Sequence, residues 1–226
     1  MDGSNPPAIR STTAVTVTAC LLACASTGAV AQTGAIMIPI EKMTIGAAPT
    51  DFEFARTGQG ATGQWVVLED ASAASKRAIE QSNTDRTDHR FPLAIYQPTS
   101  TKNVEVSLRF KPLAGRVDQA GGIAVRLSTP DDYYVARANA LEDNVRFYRV
   151  VKGKREQLAS ANAKVEPNQW HTLGIKAEND RFTVTFDGKQ LHSTTDKTFS
   201  APGRVALWTK SDSVTRFDQI NIQVLP

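Results

Sequence analysis

Apolar and polar residues alternate along this chain in runs too short for ordinary helices. Asn103 to Phe110 puts Val104, Val106, Leu108 and Phe110 on one side and Glu105, Ser107 and Arg109 on the other. A period of two sends successive side chains to opposite faces of a strand. Gly122 to Leu127 repeats the pattern, with Ile123, Val125 and Leu127 expected on one face and Ala124 and Arg126 on the other. Tyr133 to Ala138 and Val145 to Val151 form a pair of strands around the polar turn Asn139 to Asn144. Trp170 to Ala177, Phe182 to Phe186, Val205 to Thr209 and Phe217 to Val224 continue the series, and Asp187-Gly188 is a tight-turn signal. Nearer the start, Asp51 to Phe54, Gln64 to Leu68 and Arg90 to Tyr96 read as strands, and Ala71 to Gln81 as loop plus strand. About eleven to thirteen short strands, with no amphipathic helix of the usual length, predict an all-β fold: a two-sheet antiparallel sandwich.

The N-terminal segment reads as a targeting sequence. Arg10 precedes a small-residue apolar run, Ala14 to Ala31, which ends in the small-x-small pattern Ala29-Val30-Ala31. The expected organisation is a signal peptide over 1–31, a linker or terminal strand over 32–50, and one domain over 51–226. This implies an exported protein, periplasmic or extracellular, mature from about Gln32. Both cysteines, Cys20 and Cys24, fall inside the leader, each ending a run that resembles a lipoprotein box; a lipid-anchored form is the alternative. The remaining chain has no thiol for disulfides, metals or nucleophilic chemistry. With 26 basic and 23 acidic residues, a net +3 does not argue for nucleic acid as the partner. No other run approaches the roughly 18 apolar residues needed to span a bilayer. The densest basic run, Lys152-Gly153-Lys154-Arg155, is expected to be a solvated hairpin tip.

The second half carries landmarks in a recognisable order. They are Phe110-Lys111-Pro112, Gly121-Gly122-Ile123, Tyr133 to Asn144, Trp170-His171-Thr172-Leu173, Phe182 to Gly188, and Gly203 to Lys210. This series resembles the concanavalin A-like, or laminin G-like, jelly-roll superfamily, and within it the bacterial 3-keto-disaccharide hydrolase domain family. The resemblance implies a jelly roll whose concave sheet is a sugar-binding surface. Family 16 glycoside hydrolases on this fold use a Glu-x-Asp-x-Glu strand motif, and no such spacing occurs here. Retaining hydrolysis needs two carboxyls roughly 5 to 5.5 Å apart. The adjacent pairs Glu69-Asp70 and Glu142-Asp143 do not offer that pattern.

The candidate contact residues follow from alternation and this resemblance. Val205 and Leu207 should face the core, turning Ala206, Trp208 and Lys210 the other way, where Trp208 could stack on a sugar ring. Arg126, Arg137, Asn139, Asn144, Lys210 and Asp212 complete the expected binding set. Glu142 and Asp143 are the candidate general bases, although the same turn equally serves as a structural anchor. The leading expectation is carbohydrate recognition. A lyase or hydrolase acting on 3-keto-glycosides and a non-catalytic protein-interaction module are the alternatives. His89, His171 and His192 are isolated, so no transition-metal site is expected. A Ca²⁺ of the kind found at superfamily rims would draw on Asp118, Asp131 and Asp132. Gly58 to Gly63 matches a dinucleotide fingerprint only in spacing, since Trp65 begins a strand.

Overall fold

The structure, a computed structural model, describes residues 1–4 and 34–226. All but the first four residues of the expected leader, together with its cleavage site, Cys20 and Cys24, lie outside the described residues. The strands are β1 (Ala35–Met37), β2 (Phe52–Gly58), β3 (Trp65–Glu69), β4 (Arg77–Gln81), β5 (Arg90–Thr101), β6 (Val104–Ala114), β7 (Ala120–Thr129) and β8 (Asp132–Asn139). They continue as β9 (Asn144–Val151), β10 (Lys154–Asn162), β11 (His171–Glu178), β12 (Arg181–Phe186), β13 (Lys189–Thr195), β14 (Gly203–Trp208) and β15 (Val214–Val224). One 3₁₀ turn, Ile40–Lys42, is the sole helical element among the described residues. No described helix is long and apolar enough to cross a membrane.

Two antiparallel sheets result. One runs β13-β12-β11-β6-β15-β4-β3, with β1 added against β15; the other runs β10-β9-β8-β7-β14-β5-β2. This is the jelly-roll sandwich that the alternation and the landmarks predict. β10 is the main strand not foreseen. β1 ties the start of the described domain to its end: the Val224 amide donates to the Gly34 carbonyl at 3.1 Å.

The main core lies between the sheets. Val104, Val106, Leu108 and Phe110 of β6 meet Tyr134, Ala136, Phe147, Val205 and Leu207 of the second sheet there. Phe182 packs within 5.1 Å of Phe147 and 4.3 Å of Tyr134, ring centre to ring centre. Full burial of each such side chain stabilises by about 1.5–3 kcal/mol.

A second apolar cluster occupies the other, outer face of the seven-stranded sheet. Phe91, Leu93 and Ile95 of β5, Ala124 and Leu127 of β7, Tyr133 and Val135 of β8, Tyr148 and Val150 of β9, and Ala206 and Trp208 of β14 form it. Strand alternation accounts for this division, with Val205 and Leu207 inward and Ala206 and Trp208 outward, as expected.

One strand departs from the alternation. Ile123 and Val125 face the main core, but Leu127 joins the outer cluster with Ala124. The cause is a bulge: β14 pairs Arg204 with Leu127 and Ala206 with Ala124, so Val205 stands opposite both Val125 and Arg126. Arg126 absorbs the extra residue at φ +51°. Its side chain therefore turns to the inter-sheet side, with its guanidinium 4.9 Å from the Phe182 ring centre.

Candidate functional site

The β8–β9 hairpin builds the polar end of the outer face. Asn139 and Asn144 pair across its neck, and Arg137 pairs with Arg146 one step further in. Arg137, Asn139, Asn144, Arg146 and Tyr148 alternate outward along these two strands. Gly122 of β7 sits beside Arg137 in the register and beside Trp208 on the other side. A Cβ there would stand 2.8 Å from the Ala136 carbonyl and 3.2 Å from the indole, so only glycine lets both large side chains lie flat.

Glu142 is the hub. Its Oε2 accepts from Arg137 Nη2 at 2.8 Å, from the Asn144 amide at 3.1 Å, and lies 3.3 Å from Arg146 Nη1. Arg137 also donates to the Asn144 side-chain oxygen and reaches the Tyr148 hydroxyl at 3.4 Å. Burial disfavours the charged form of Glu142, but the Asn144 amide and the Arg137 guanidinium outweigh it and hold the carboxyl below its ordinary value. Tyr148 behaves in parallel. Burial pushes its phenol up, yet Arg137, Arg146 and Arg155 together bring it below the ordinary tyrosine value.

A second polar group adjoins the first. Asn139 donates to Asp118 Oδ1 at 2.6 Å while its own oxygen accepts the Leu141 amide at 2.9 Å. Lys210 Nζ lies 2.5 Å from Asp118 Oδ2. Burial raises the Asp118 carboxyl above its ordinary value against the pull of Lys210. Asp118 is placed by Asp212, whose carboxylate accepts the backbone amides of Arg116, Val117 and Asp118 at 2.8, 3.0 and 3.1 Å.

Of the residues expected from sequence, Arg137, Asn139, Glu142, Asn144 and Lys210 come together. Four do not join them. Asp143 diverges from Glu142 at φ +47°; its carboxylate accepts the Val165 amide at 3.1 Å and Lys164 Nζ at 2.9 Å, anchoring the loop between β10 and β11. Asp212 is spent on the loop before β7, as above. Arg126 is carried away by the bulge; it donates to the carbonyls of Lys102 at 2.9 Å, Phe199 at 2.8 Å and Asn179. Trp208 faces outward as expected but is fully buried, stacked on Phe91 at 5.4 Å with its indole N–H donating to Tyr133 OH at 3.2 Å. A sealed indole offers no face for a sugar ring, so the stacking role expected of Trp208 is withdrawn.

The three aspartates considered for Ca²⁺ also separate. Asp118 lies at the start of β7 with Lys210, whereas Asp131 and Asp132 lie at its far end. Among the described residues no three His, Cys, Asp or Glu side chains gather as a metal site would require.

Sequence reasoning missed Arg146, Tyr148 and Arg155. Arg155 folds back over the outer face, its guanidinium 4.4 Å from the ring centre of Tyr148, 4.9 Å from Phe91 and 6.0 Å from Trp208. The signal was present. Lys152 and Gly153 have φ +49° and +75°, a two-residue hairpin turn, so Arg155 pairs with Val150 and shares its face.

Comparison with known proteins agrees with this architecture. A family model described as "Galactocerebrosidase, C-terminal lectin domain" matches residues 100–225. The carbohydrate binding module CBM66 from Bacillus subtilis superposes with a TM-score of 0.58 at 20% identity, over 75% of this chain and 94% of that one. Bacillus licheniformis beta-glucanase gives 0.56 at 12% identity, over 86% of this chain and all of the other. The carbohydrate recognition domain of Emp46p, in its potassium-bound form, gives 0.56 at 10% identity, over 84% and 97%. At these identities the structural likenesses establish the fold alone. No sequence among curated proteins matches. The comparisons bear out the jelly-roll superfamily; the finer resemblance to 3-keto-disaccharide hydrolases is not confirmed by them.

Proposed function

The chain belongs to the family of galactocerebrosidase C-terminal lectin domains, and we propose that it binds a saccharide at the polar end of the outer face of the seven-stranded sheet. The observation that carries this reading is the convergence of Arg137, Glu142, Asn144 and Arg146 at the hairpin end of β8 and β9, with Glu142 accessible to solvent. Sugar hydroxyls each need a donor and an acceptor in fixed positions, and this group presents both on a rigid hairpin. Because each side chain is already held by its neighbours, little conformational freedom remains to be lost on binding. Glu142 fits a binding role better than a catalytic one. Its carboxyl is held low by ionic neighbours, whereas a general acid or base at neutral pH works best with a pKa near 7.

A glycan array probed with the purified protein tests the reading. Glu142→Gln and Arg146→Ala are each expected to weaken the selected glycan at least tenfold, with Lys164→Ala, on the far side of the turn, unchanged. Binding that survives both substitutions would remove this face from consideration. Export is part of the same proposal, with a leader over 1–31 and a mature chain in which 32–50 supplies the terminal strand β1 to the domain over 51–226. Terminal sequencing of secreted protein should begin near Gln32, or at a lipidated Cys20 or Cys24 if the anchored form is made.

A further inference from the structure

Four cations and two carboxylates meet at the polar end of the outer face. Glu142 is already divided between Arg137 at 2.8 Å and Arg146 at 3.3 Å. Asp118 is taken by Lys210 at 2.5 Å and by Asn139 at 2.6 Å. Among the described residues no carboxylate lies within ion-pair distance of Arg155; Asp88, whose charged form Arg155 and Lys210 both favour, stands further off. Among the described residues the Arg155 guanidinium has no hydrogen-bond or ion-pair partner, only the ring faces of Tyr148, Phe91 and Trp208. Its Nη1 is buried without an acceptor, and so is Nε of Arg146. Buried polar groups are almost always satisfied, and a half-buried guanidinium without an acceptor is costly until one arrives.

The missing acceptor has a definable chemistry. Arginine has donors and no acceptor, so it does not supply the second half of a hydroxyl's bonding. Its planar fork fits the paired oxygens of a carboxylate or sulfate. Three guanidiniums also surround one phenol here, and their field is strong enough to lower the Tyr148 hydroxyl despite its burial. Glu142 repels an anion at its own side of the cluster, which leaves the Arg155 side as the place where negative charge would settle.

The geometry points to an acidic saccharide as the ligand, a sugar carrying a carboxylate or sulfate group that settles at the solvent side of the Arg155 and Arg146 guanidiniums while neighbouring hydroxyls meet Glu142. This rests on the saccharide-binding reading above and narrows it to one ligand class.

An array carrying neutral, uronate-containing and sulfated glycans, read at low and at 0.5 M salt, tests it with the full chain. Acidic glycans should bind at least tenfold better than their neutral counterparts at low salt, with the preference shrinking as salt screens the charges. The uronate and sulfate arms decide which anion is preferred. Arg155→Gln should abolish the preference while leaving thermal unfolding close to wild type; Arg155→Lys should restore part of it. Arg146→Gln, at a more exposed position, gives a second measure should Arg155→Gln fold poorly. Neutral glycans bound as well as acidic ones, with binding still lost in Glu142→Gln, would overturn the acidic ligand and leave the saccharide site standing. Binding to no glycan at all would overturn both.

Discussion

Two arginines of this domain carry their charge out of bulk water, at different places and to different ends. Arg126, at the end of the sandwich, is 2% exposed and gives its guanidinium donors to three backbone carbonyls. Arg155, on the outer face, rests on aromatic rings and has donors left over. The first is a clamp that joins three chain segments, the loops at Lys102, Asn179 and Phe199. The second is held in position without being used up. Burial of a charge therefore says little about purpose until its partners are counted.

The contrast can be broken or sharpened by substitution. The largest effect is expected beneath Arg155. Trp208→Ala should destabilise by about 3–5 kcal/mol in urea unfolding, as removal of a buried tryptophan does. A small stability loss with complete loss of glycan binding would mean instead that the indole is an accessible platform. Arg126→Ala comes next, at about 3 kcal/mol, because three part-buried carbonyls lose their donor at about 1 kcal/mol each. Arg155→Gln should change stability by no more than about 1 kcal/mol, the scale of a cation–π contact. If the two arginine substitutions cost the same, the distinction between clamp and available donor fails.

The smallest effect is a pH dependence. Glu142 has a folded value below the 4.5 of a free glutamate. Its contribution to stability is thus fully present above the unfolded value, near pH 4.5, and is lost as pH falls through the lower folded value. Glu142→Gln should flatten that part of the acid unfolding curve while leaving the region above pH 6 parallel to wild type. An unaltered acid limb would show that Arg137 and Arg146 do not stabilise the charged form.

Much of the fold was legible because strand alternation is a local rule. β6 and β14 placed every inward and outward residue where the period of two puts them. Arg126 was misplaced because a bulge is decided by the pairing of β7 with β14, which no local pattern in β7 reveals. Trp208 was put on the correct face, but how much neighbouring matter covers that face is a tertiary property. Asp143 and Asp212 look like functional carboxylates in sequence and are consumed by backbone amides of distant loops. Arg155 was hidden for the opposite reason. A lysine-rich hairpin tip reads as solvated, and Lys152 and Lys154 are indeed exposed, yet the next residue turns back over the sheet.

The short β1 strand has a consequence for how such a domain can be attached to other things. The Val224 amide is hydrogen-bonded to Gly34, the residue just before β1, and both β1 and β15 belong to the eight-stranded sheet. The Arg137–Glu142–Arg155 surface belongs to the other sheet. A tether or fused module at either terminus of the domain is therefore anchored on its back, and the same proximity suits the domain to circular permutation, or to insertion into a host loop, with its working surface kept intact.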